Sequence, residues 1–349
     1  MPNFDWDKLS LQDFIQLQAE VASQLRRRFE RKIALAFTDV VGSTAYFELK
    51  GDIAGKRLMQ RHHDLVNAAL SLHGGRVVDT AGDGAFCVFD TAELAALSLI
   101  AFQEKLVENN VDHPPDECLT IRCGMHWGGA LLDDISVSGD TVNTCARVAS
   151  SADGGEIRLT EPAFQQLPPS LRVRCQPGKS VTGKGLTEPV RIHLLHWQDP
   201  NRVPTAIHIE ELNERIDLPS QQFFSMGRLA LHQGKRANAI LLKHPDPELT
   251  KRISRWHLKF ERTIHGLTLS PVSRGSTKVD GRTIQIGDEV KVEHGTIVQV
   301  GKVLTLRFAG TESDDALSNT DVDFSVEDPE GGVPTNVLRK PEESADPLR

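Results

Sequence analysis

The chain has 349 residues, of which 39% are hydrophobic and 25% are charged, and its formal net charge is −8. Residues 311–349 carry eleven Asp and Glu against three Lys and Arg, so the remaining residues balance at 37 of each sign. A neutral body lacks the basic excess of nucleic-acid-binding proteins, and no apolar run reaches the roughly 18 residues of a membrane span. The length suits about two globular domains with neither nucleic acid nor membrane as a partner.

The cysteines and the first residues indicate a reduced setting. The five cysteines match no zinc motif, and an odd number cannot form a closed disulfide framework, so we expect reduced and mostly buried thiols. The chain opens with Asp5, Asp7 and Lys8 among polar residues rather than with a secretory signal. We therefore expect a cytoplasmic protein.

The first segment, residues 1–31, contains a predicted helix from about Leu9 to Arg31. Its apolar residues recur every three or four positions and line one helical face. That face predicts either packing against the chain's own body or dimerisation. The stripe consists of Leu11, Phe14, Leu17, Val21, Leu25 and Phe29.

The second segment, residues 32–197, alternates strands with helices. IALAFTDVV predicts a strand, followed by a helix to about His73. RVVDT and AFCVFD predict two strands joined by a turn at Gly82-Asp83-Gly84. A helix from about Thr91 to Asn109, the strand LTIRCGMHWG and the helix VNTCARVASSA follow. Alternation around a hairpin favours an α+β fold, a mixed α/β sandwich, over a purely parallel sheet.

Three further segments complete the chain. Residues 198–204 contain two prolines and predict a linker. Residues 205–309 are short β-prone runs separated by turn residues, which is typical of an all-β sandwich. Residues 310–349 are acidic and poor in apolar residues, so we expect a disordered tail.

Two aspartates form the first candidate site. Asp39 ends a predicted strand just before Gly42-Ser43-Thr44 opens a helix, and Asp83 lies in a turn between two strands. Converging carboxylates suit a divalent metal, and the amides of a helix N-terminus suit phosphates. Taken singly, however, Ser43 could be an ordinary N-cap and Gly82-Asp83-Gly84 an ordinary hairpin turn.

An ordered set of motifs favours the metal site. FTDVVGST, GRVVDTAGDGAFCVF, IRCGMHWGG, SGDTVNTCARVASSADGGEI and VTGKGLTEPVRI resemble, in this order, the class III adenylate and guanylate cyclase catalytic domains. The resemblance covers about residues 33–195. It implies a ferredoxin-like α/β sandwich and a phosphorus–oxygen lyase that makes a 3′,5′-cyclic nucleotide and pyrophosphate from a nucleoside triphosphate.

The resemblance also assigns roles. Asp39, Asp83 and the Val40 carbonyl would bind two Mg²⁺ or Mn²⁺ ions, and Asn143 and Arg147 would stabilise the transition state. Such domains form dimers in which each site combines both halves, so a symmetric homodimer is expected. The expected triphosphate ligands are Gly42, Ser43, Thr44 and Lys184.

The base-reading positions depart from the family pattern. Adenylate cyclases usually have a lysine where this chain has Asp79, and an aspartate or threonine at Ser136. Guanylate cyclases usually have glutamate and cysteine there, which the Asp79/Ser136 pair resembles chemically. ATP is the expected substrate, with GTP and then a pyrimidine nucleotide as alternatives. We expect His62, His63, His126 and Cys145 to be structural.

A second set of motifs resembles the forkhead-associated (FHA) domain, a β-sandwich that reads phosphothreonine. The set is MGR at Met226, NAI at Asn238, ISRWH at Ile253 and SRGSTKVDG at Ser273, within about residues 205–308. The resemblance implies phosphate contacts from Arg228, Ser254 and Arg255, a structural His257, and Thr277 bracing the loop. The family's Asn-Gly before the threonine is Gly275-Ser276 here.

We therefore expect a cyclase coupled to a Ser/Thr kinase pathway by its FHA domain. The alternative is a catalytically degenerate phosphothreonine-binding scaffold. Phosphorylation of Thr311 or Thr320 in the acidic tail is a further hypothesis, since each has an aspartate three residues later.

Overall fold

A computed structural model describes residues 9–80, 82–133, 136–182 and 188–310 of the chain. Lys184, Thr311, Thr320 and the acidic segment 311–349 therefore lie outside the described residues. The helices are α1 Leu11–Phe29, α2 Ser43–Lys50, α3 Asp52–His73, α4 Ala92–Val111, α5 Asp140–Ser150, α6 Glu161–Gln165, α7 Pro169–Arg172 and α8 Pro247–Thr250.

The strands of the first region form one mixed sheet in the order β2-β3-β1-β4-β6-β8-β7, with β5 paired to β4. They are β1 Glu30–Val40, β2 Arg76–Asp79, β3 Gly84–Phe89, β4 Ile121–Leu132, β5 Val137–Ser138, β6 Ile157–Thr160, β7 Cys175–Pro177 and β8 Ile192–Leu195. The first four strands have the predicted β-α-β-β-α-β connection of a ferredoxin-like fold, with β1 between β3 and β4.

Helices cover both faces of this sheet because side chains alternate along β1. Ala34 and Ala36 pack in one core with residues of α3 and α4. Leu35 and Phe37 pack in a second core that contains Cys145 of α5. The small residues of β1 lie under two long helices and the large ones under a single short helix, so both layers are filled.

The predicted helix to His73 is two helices. Gly51 separates α2 from α3 with a φ of 82°, a left-handed conformation that glycine adopts without strain. The α4 prediction agrees with the structure, and Thr91 caps this helix by accepting a hydrogen bond from the Leu94 N–H.

Helix α1 forms as predicted and begins with a capping box between Ser10 and Asp13. No residue of α1 is fully buried, and Leu17 and Phe29 of its apolar stripe are half-buried. Leu11 is 78% exposed and Leu25 is 46% exposed. The helix ends at Phe29 and β1 begins at Glu30, so the exposed apolar stripe lies directly before the first strand of the sheet.

The second region is mostly strands, as predicted, and its two main sheets enclose a separate core. Their orders are β10-β9-β21-β20-β17-β18 and β14-β11-β15-β16-β19, with β12-β13 as a separate hairpin. The strands are β9 Ala206–Ile209, β10 Glu214–Asp217, β11 Phe223–Gly227, β12 Leu231–His232, β13 Lys235–Arg236, β14 Ile240–Leu241, β15 Leu258–Thr263, β16 Gly266–Pro271, β17 Thr277–Val279, β18 Arg282–Ile284, β19 Val290–Val292, β20 Ile297–Val300 and β21 Leu304–Ala309. Strands β10, β12, β13 and β18 were not predicted; they are short and largely exposed, so their apolar pattern is weak.

Candidate active site

The predicted metal aspartates converge at one end of the mixed sheet. Asp39 of β1 is paired with Gly84 of β3, so Asp83, one residue earlier, lies beside it. Asp39 is buried and Asp83 is half-buried. Burial is the main reason why the pKa of Asp39 is raised, Arg122 opposes the shift, and the nearby Asp83 carboxylate adds to it. The two strand ends therefore bring together two carboxylates that repel one another.

Arg122 is the site residue that sequence reasoning missed. It is the second residue of β4, opposite Asp39 on β1. Its Nε lies 2.6 Å and its Nη2 2.5 Å from Asp39 Oδ2. Its Nη1 also donates to the Ser150 carbonyl at the end of α5, at 3.0 Å. The only sequence signal was a charged residue near the start of an apolar strand, and its partner depends on the register between β1 and β4.

Ser43 positions Asp83 rather than capping a helix. Gly42 is the N-cap of α2, with a φ of 77°, and Ser43 is the first helical residue. The Ser43 hydroxyl donates to the Asp83 carboxylate. The N-cap alternative for Ser43 is therefore wrong. Ser43 and Thr44 begin a helix whose first-turn N–H groups have no intrahelical acceptor, which suits an anion beside the two aspartates.

Helix α5 carries the predicted Asn143 and Arg147, and it covers the face of the sheet on which Leu35 and Phe37 of β1 lie. Gly124 on β4 allows this close approach, since a Cβ there would lie 2.4 Å from the Ala149 nitrogen. Asn143 is exposed and Arg147 is half-buried. The Arg147 Nε is buried and has no hydrogen-bond partner among the residues that the structure describes. The two side chains are four residues apart and share one helix face, as the spacing predicts.

The base-reading candidates lie in different environments. Asp79 ends β2 and is exposed. Ser136 is also exposed, and its N–H and hydroxyl both donate to the Asp133 carboxylate, at 2.7 and 2.9 Å. With its hydroxyl hydrogen used in this way, Ser136 Oγ can only accept a hydrogen bond from a base.

The residues expected to be structural are packed. His62 is fully buried and hydrogen-bonded to the Thr38 hydroxyl at 2.9 Å, and burial lowers its pKa to about 4. His126 bonds the Thr160 hydroxyl, and burial lowers its pKa to about 4. Cys145 is fully buried, and burial raises its pKa. All five cysteines are free thiols.

The predicted phosphate-binding residues of the β-sandwich lie on adjoining loops. The Arg228 N–H donates to the Ser254 carbonyl at 3.0 Å, which joins the two loops. Ser254 and Arg228 are half-buried and Arg255 is exposed. The Arg228 Nε is buried without a hydrogen-bond partner in the described part of the chain. The backbone of Arg228 therefore adjoins that of Ser254, and a guanidinium and a hydroxyl are groups that suit a phosphate.

His257 and Thr277 are buried beneath these loops, and His257 bonds to the loop that carries Ser254. His257 Nδ1 accepts from the Ser254 N–H at 3.0 Å, and His257 Nε2 lies 3.0 Å from the Thr277 hydroxyl. Both side chains have 0% exposure. Thr277 can therefore act on a ligand only through the loop, which agrees with the bracing role that the resemblance implies.

Asn238 is a second residue whose role the sequence did not give. It is 2% exposed, and its Nδ2 donates to the carbonyls of Leu229 and Arg255, at 2.9 and 2.8 Å. One amide group thus holds the loop after Arg228 against the loop after Ser254. The motif spacing contained this asparagine, but only the tertiary structure brings its two acceptors together.

The donor set of the first site fits a divalent metal that also binds substrate. Among the described residues, no group of three or more His, Cys, Asp or Glu side chains could hold a metal ion alone. Two carboxylates with open positions for phosphate oxygens are the usual arrangement for Mg²⁺. A cation between Asp39 and Asp83 would also remove their mutual repulsion. In the part of the chain that the structure covers, no helix has the length and apolar character to cross a membrane.

Residues 26–196 match the family model described as the adenylate and guanylate cyclase catalytic domain. An adenylate cyclase of Lachancea kluyveri is 29% identical over 182 residues, covering 44% of this chain and 10% of the relative. A receptor-type guanylate cyclase of Caenorhabditis elegans is 28% identical over 151 residues, covering 39% and 14%. The chain spans less than a third of the length of the curated relatives it matches.

Solved cyclase structures are also similar to this region. A structure of adenylate cyclases from Trypanosoma brucei in their monomeric state is 21% identical, covers 48% of this chain and 90% of its own, and has a TM-score of 0.41. The guanylyl cyclase Cya2 is 20% identical, covers 48% and 92%, and has a TM-score of 0.42. Residues 26–196 of this chain are therefore similar to the adenylate and guanylate cyclase catalytic domain, whose family model they match.

Proposed function

We propose that this protein is a class III nucleotidyl cyclase that converts ATP into 3′,5′-cyclic AMP and pyrophosphate. The observation that carries the proposal is the convergence of Asp39 and Asp83 beside the N-terminus of α2. This arrangement lies within a segment that matches the family model of the cyclase catalytic domain. Carboxylates, helix amides and a nearby arginine are what a nucleoside triphosphate with bound divalent ions requires.

Asp39, Asp83 and the Val40 carbonyl would hold two Mg²⁺ or Mn²⁺ ions. When bound, these ions would lower the pKa of the ribose 3′-hydroxyl and neutralise the triphosphate. Ser43 would keep the Asp83 carboxylate turned towards Asp39 through its hydrogen bond. Arg122 holds Asp39 without metal and would be free to meet a phosphate once metal replaced it.

Asn143 and Arg147 would act on the ribose and the α-phosphate. The exposed Asn143 amide would orient the ribose so that its hydroxyl attacks in line. Arg147 would neutralise the charge that develops on the α-phosphate, and its buried Nε has no described hydrogen-bond partner to compete for it. Gly42, Thr44 and Lys184 complete the proposed triphosphate site, with Lys184 outside the described residues.

A symmetric homodimer with two shared active sites is part of the proposal. One chain carries both the aspartate pair, at the ends of β1 and β3, and the Asn143/Arg147 pair on α5. A second copy would supply the missing half of each site. The exposed apolar stripe of α1 offers the dimer additional surface.

ATP is the favoured substrate, and GTP is the alternative. The Asp79 carboxylate accepts hydrogen bonds, and so does Ser136 Oγ while its hydrogen is donated to Asp133. These acceptors suit the amino group of adenine, and the Asp79 carboxylate alone would also suit the N1–H and N2–H of guanine. Guanine O6 would need Ser136 to donate, which first requires it to release Asp133.

The test is turnover by the purified chain with Mn²⁺ and each of ATP, GTP, CTP and UTP, with cyclic products identified by mass spectrometry. Asp83→Ala is expected to abolish the product. Asp90→Ala is the matched control, because Asp90 follows the opposite end of β3 and is exposed. No product from any nucleotide would refute the cyclase and favour the degenerate scaffold.

We also propose that the β-sandwich is an FHA domain that binds phosphothreonine and couples the cyclase to a kinase pathway. Its support is the backbone hydrogen bond between Arg228 and Ser254 on loops that Asn238 holds together. A phosphothreonine peptide should bind in fluorescence polarisation and its unphosphorylated form should not. Arg228→Ala should abolish binding, whereas Arg282→Ala on exposed β18 should leave it unchanged. Equal binding of both peptides would refute the assignment.

A further inference from the structure

The β-sandwich meets the cyclase domain through buried amide side chains. Asn110 of α4 is 2% exposed, and its Nδ2 donates to Gln222 Oε1 at 2.9 Å. Gln222 lies just before β11 and also donates from Nε2 to the Val107 carbonyl at 3.5 Å. Its own backbone carbonyl accepts from the Arg262 N–H of β15 at 2.8 Å, so Gln222 is fixed to the sandwich.

The same Asn110 side chain holds the segment that leads into β4. Its Nδ2 donates to the Leu119 carbonyl and its Oδ1 accepts from the Leu119 N–H, both at 2.8 Å. Asn110 thus bonds the backbone N–H and carbonyl of Leu119 in the cyclase domain and the side chain of Gln222 in the sandwich. Loss of a partner would leave a buried amide unsatisfied, which is more costly than the hydrogen bond is worth.

Leu119 is close in the chain to two residues, Thr120 and Arg122, that contact the strand end of the proposed metal site. The next residue, Thr120, accepts from the Val41 N–H at 2.9 Å, directly after the Asp39-Val40 strand end. Two residues further on is Arg122, which pairs with Asp39. A short backbone segment therefore connects the sandwich contact to the proposed catalytic carboxylate.

The sandwich also packs against the turn after α5. A Cβ on Gly155 would lie 2.4 Å from the Ser220 carbonyl oxygen, so glycine is needed for this approach. The Gly155 N–H donates to the Ile121 carbonyl at 2.8 Å, again at the start of β4. The void among these residues is only about 10 Å³, room for at most one water molecule. Such close packing transmits displacement rather than absorbing it.

We propose that Asn110 and Gln222 are positioning residues, through which the β-sandwich fixes the start of β4 and the strand end that carries Asp39. This inference rests on the proposed cyclase function for its catalytic meaning. A sandwich that shifts at Gln222 removes one group that holds the Asn110 amide, and so loosens the Leu119 segment that aligns Arg122 and Val41. Asp39 then loses its orientation for the divalent ions.

The test uses the full chain with Gln222→Ala and the control Gln198→Ala. Gln198 also joins the two regions, because its Oε1 accepts from Arg262 Nη1 and its Nε2 donates to the Thr263 carbonyl, both at 2.7 Å. No described contact connects it to Leu119. Both variants should lower the melting temperature. Only Gln222→Ala should raise the amide exchange rates of residues 39–43 and 118–123, by about tenfold.

A second readout is the Mn²⁺ concentration that gives half-maximal turnover. It should rise several-fold in Gln222→Ala and stay unchanged in Gln198→Ala. Unchanged exchange in Gln222→Ala, or equal exchange in both variants, would overturn the inference. Gln222→Met, which fills the site without an amide, carries the same expectation if the alanine variant fails to fold. The exchange readout needs no turnover, so an inactive wild-type chain would refute the cyclase function alone.

Discussion

Replacement of Arg122 by methionine should destabilise the metal-free protein while making it more responsive to metal. Arg122 places Nε and Nη2 on one oxygen of Asp39, whose side chain is 11% exposed. Breaking a buried pair costs about 3–5 kcal/mol because it leaves a charge unpaired. The Arg122 side chain is 31% exposed, so solvent screens part of this cost.

We therefore expect Arg122→Met to lower the free energy of unfolding by about 2 kcal/mol in EDTA. For a protein of this size that corresponds to a fall in melting temperature of roughly 4–8 °C. Added Mn²⁺ should stabilise the variant more than the wild type, because in the wild type the ion must first displace Arg122 from Asp39. Thermal unfolding with and without Mn²⁺ measures both effects.

The control is Lys50→Met, which breaks an exposed pair with Asp116 of the same 2.5 Å length and should hardly change the melting temperature. A double-mutant cycle with Asp39→Asn isolates the pair and should give a coupling of about 2 kcal/mol. Equal stability of Arg122→Met and wild type in EDTA, or zero coupling, would refute the reasoning.

Three further predictions concern single residues. Burial lowers the pKa of His62 to about 4, below the unfolded value of about 6.5. The unfolded chain therefore binds more protons between these values, so His62 should contribute about 2 kcal/mol to the loss of stability from pH 7 to pH 5 in urea unfolding, and His62→Gln should lose that much less. Gly124→Ala should displace α5, cost about 2 kcal/mol and cut turnover; wild-type turnover would contradict this. Asn238→Ala should weaken phosphopeptide affinity about tenfold by separating its two loops, and unchanged affinity would exclude that role.

Much of the fold could be predicted because its signals are local. The apolar run of β1, the helical pattern of α4 and the glycine turn at Gly82 are read directly from neighbouring residues. The break at Gly51 was missed because one glycine within an apolar helical pattern also fits a continuous helix. The short strands of the sandwich were missed because their pairing, not their composition, makes them strands.

The candidate site divides in the same way. Asp39, Asp83, Asn143 and Arg147 were proposed from motifs, since each lies in a short segment whose spacing is informative on its own. Arg122 and Asn238 were not assigned roles, because each acts on groups far away in sequence. The function of Ser43 was open between a helix cap and a site residue until its partner, forty residues away, was known.

The sequence alone determined the chemistry: which carboxylates, amides and cations are present, and in which strand ends and helix starts they lie. The tertiary structure decided which of them meet. Register pairs Asp39 with both Gly84 and Arg122, and domain packing places Gln222 against Asn110. The physical reason is that local patterns depend on a residue's neighbours in the chain, whereas these contacts depend on how buried surfaces fit together across the fold.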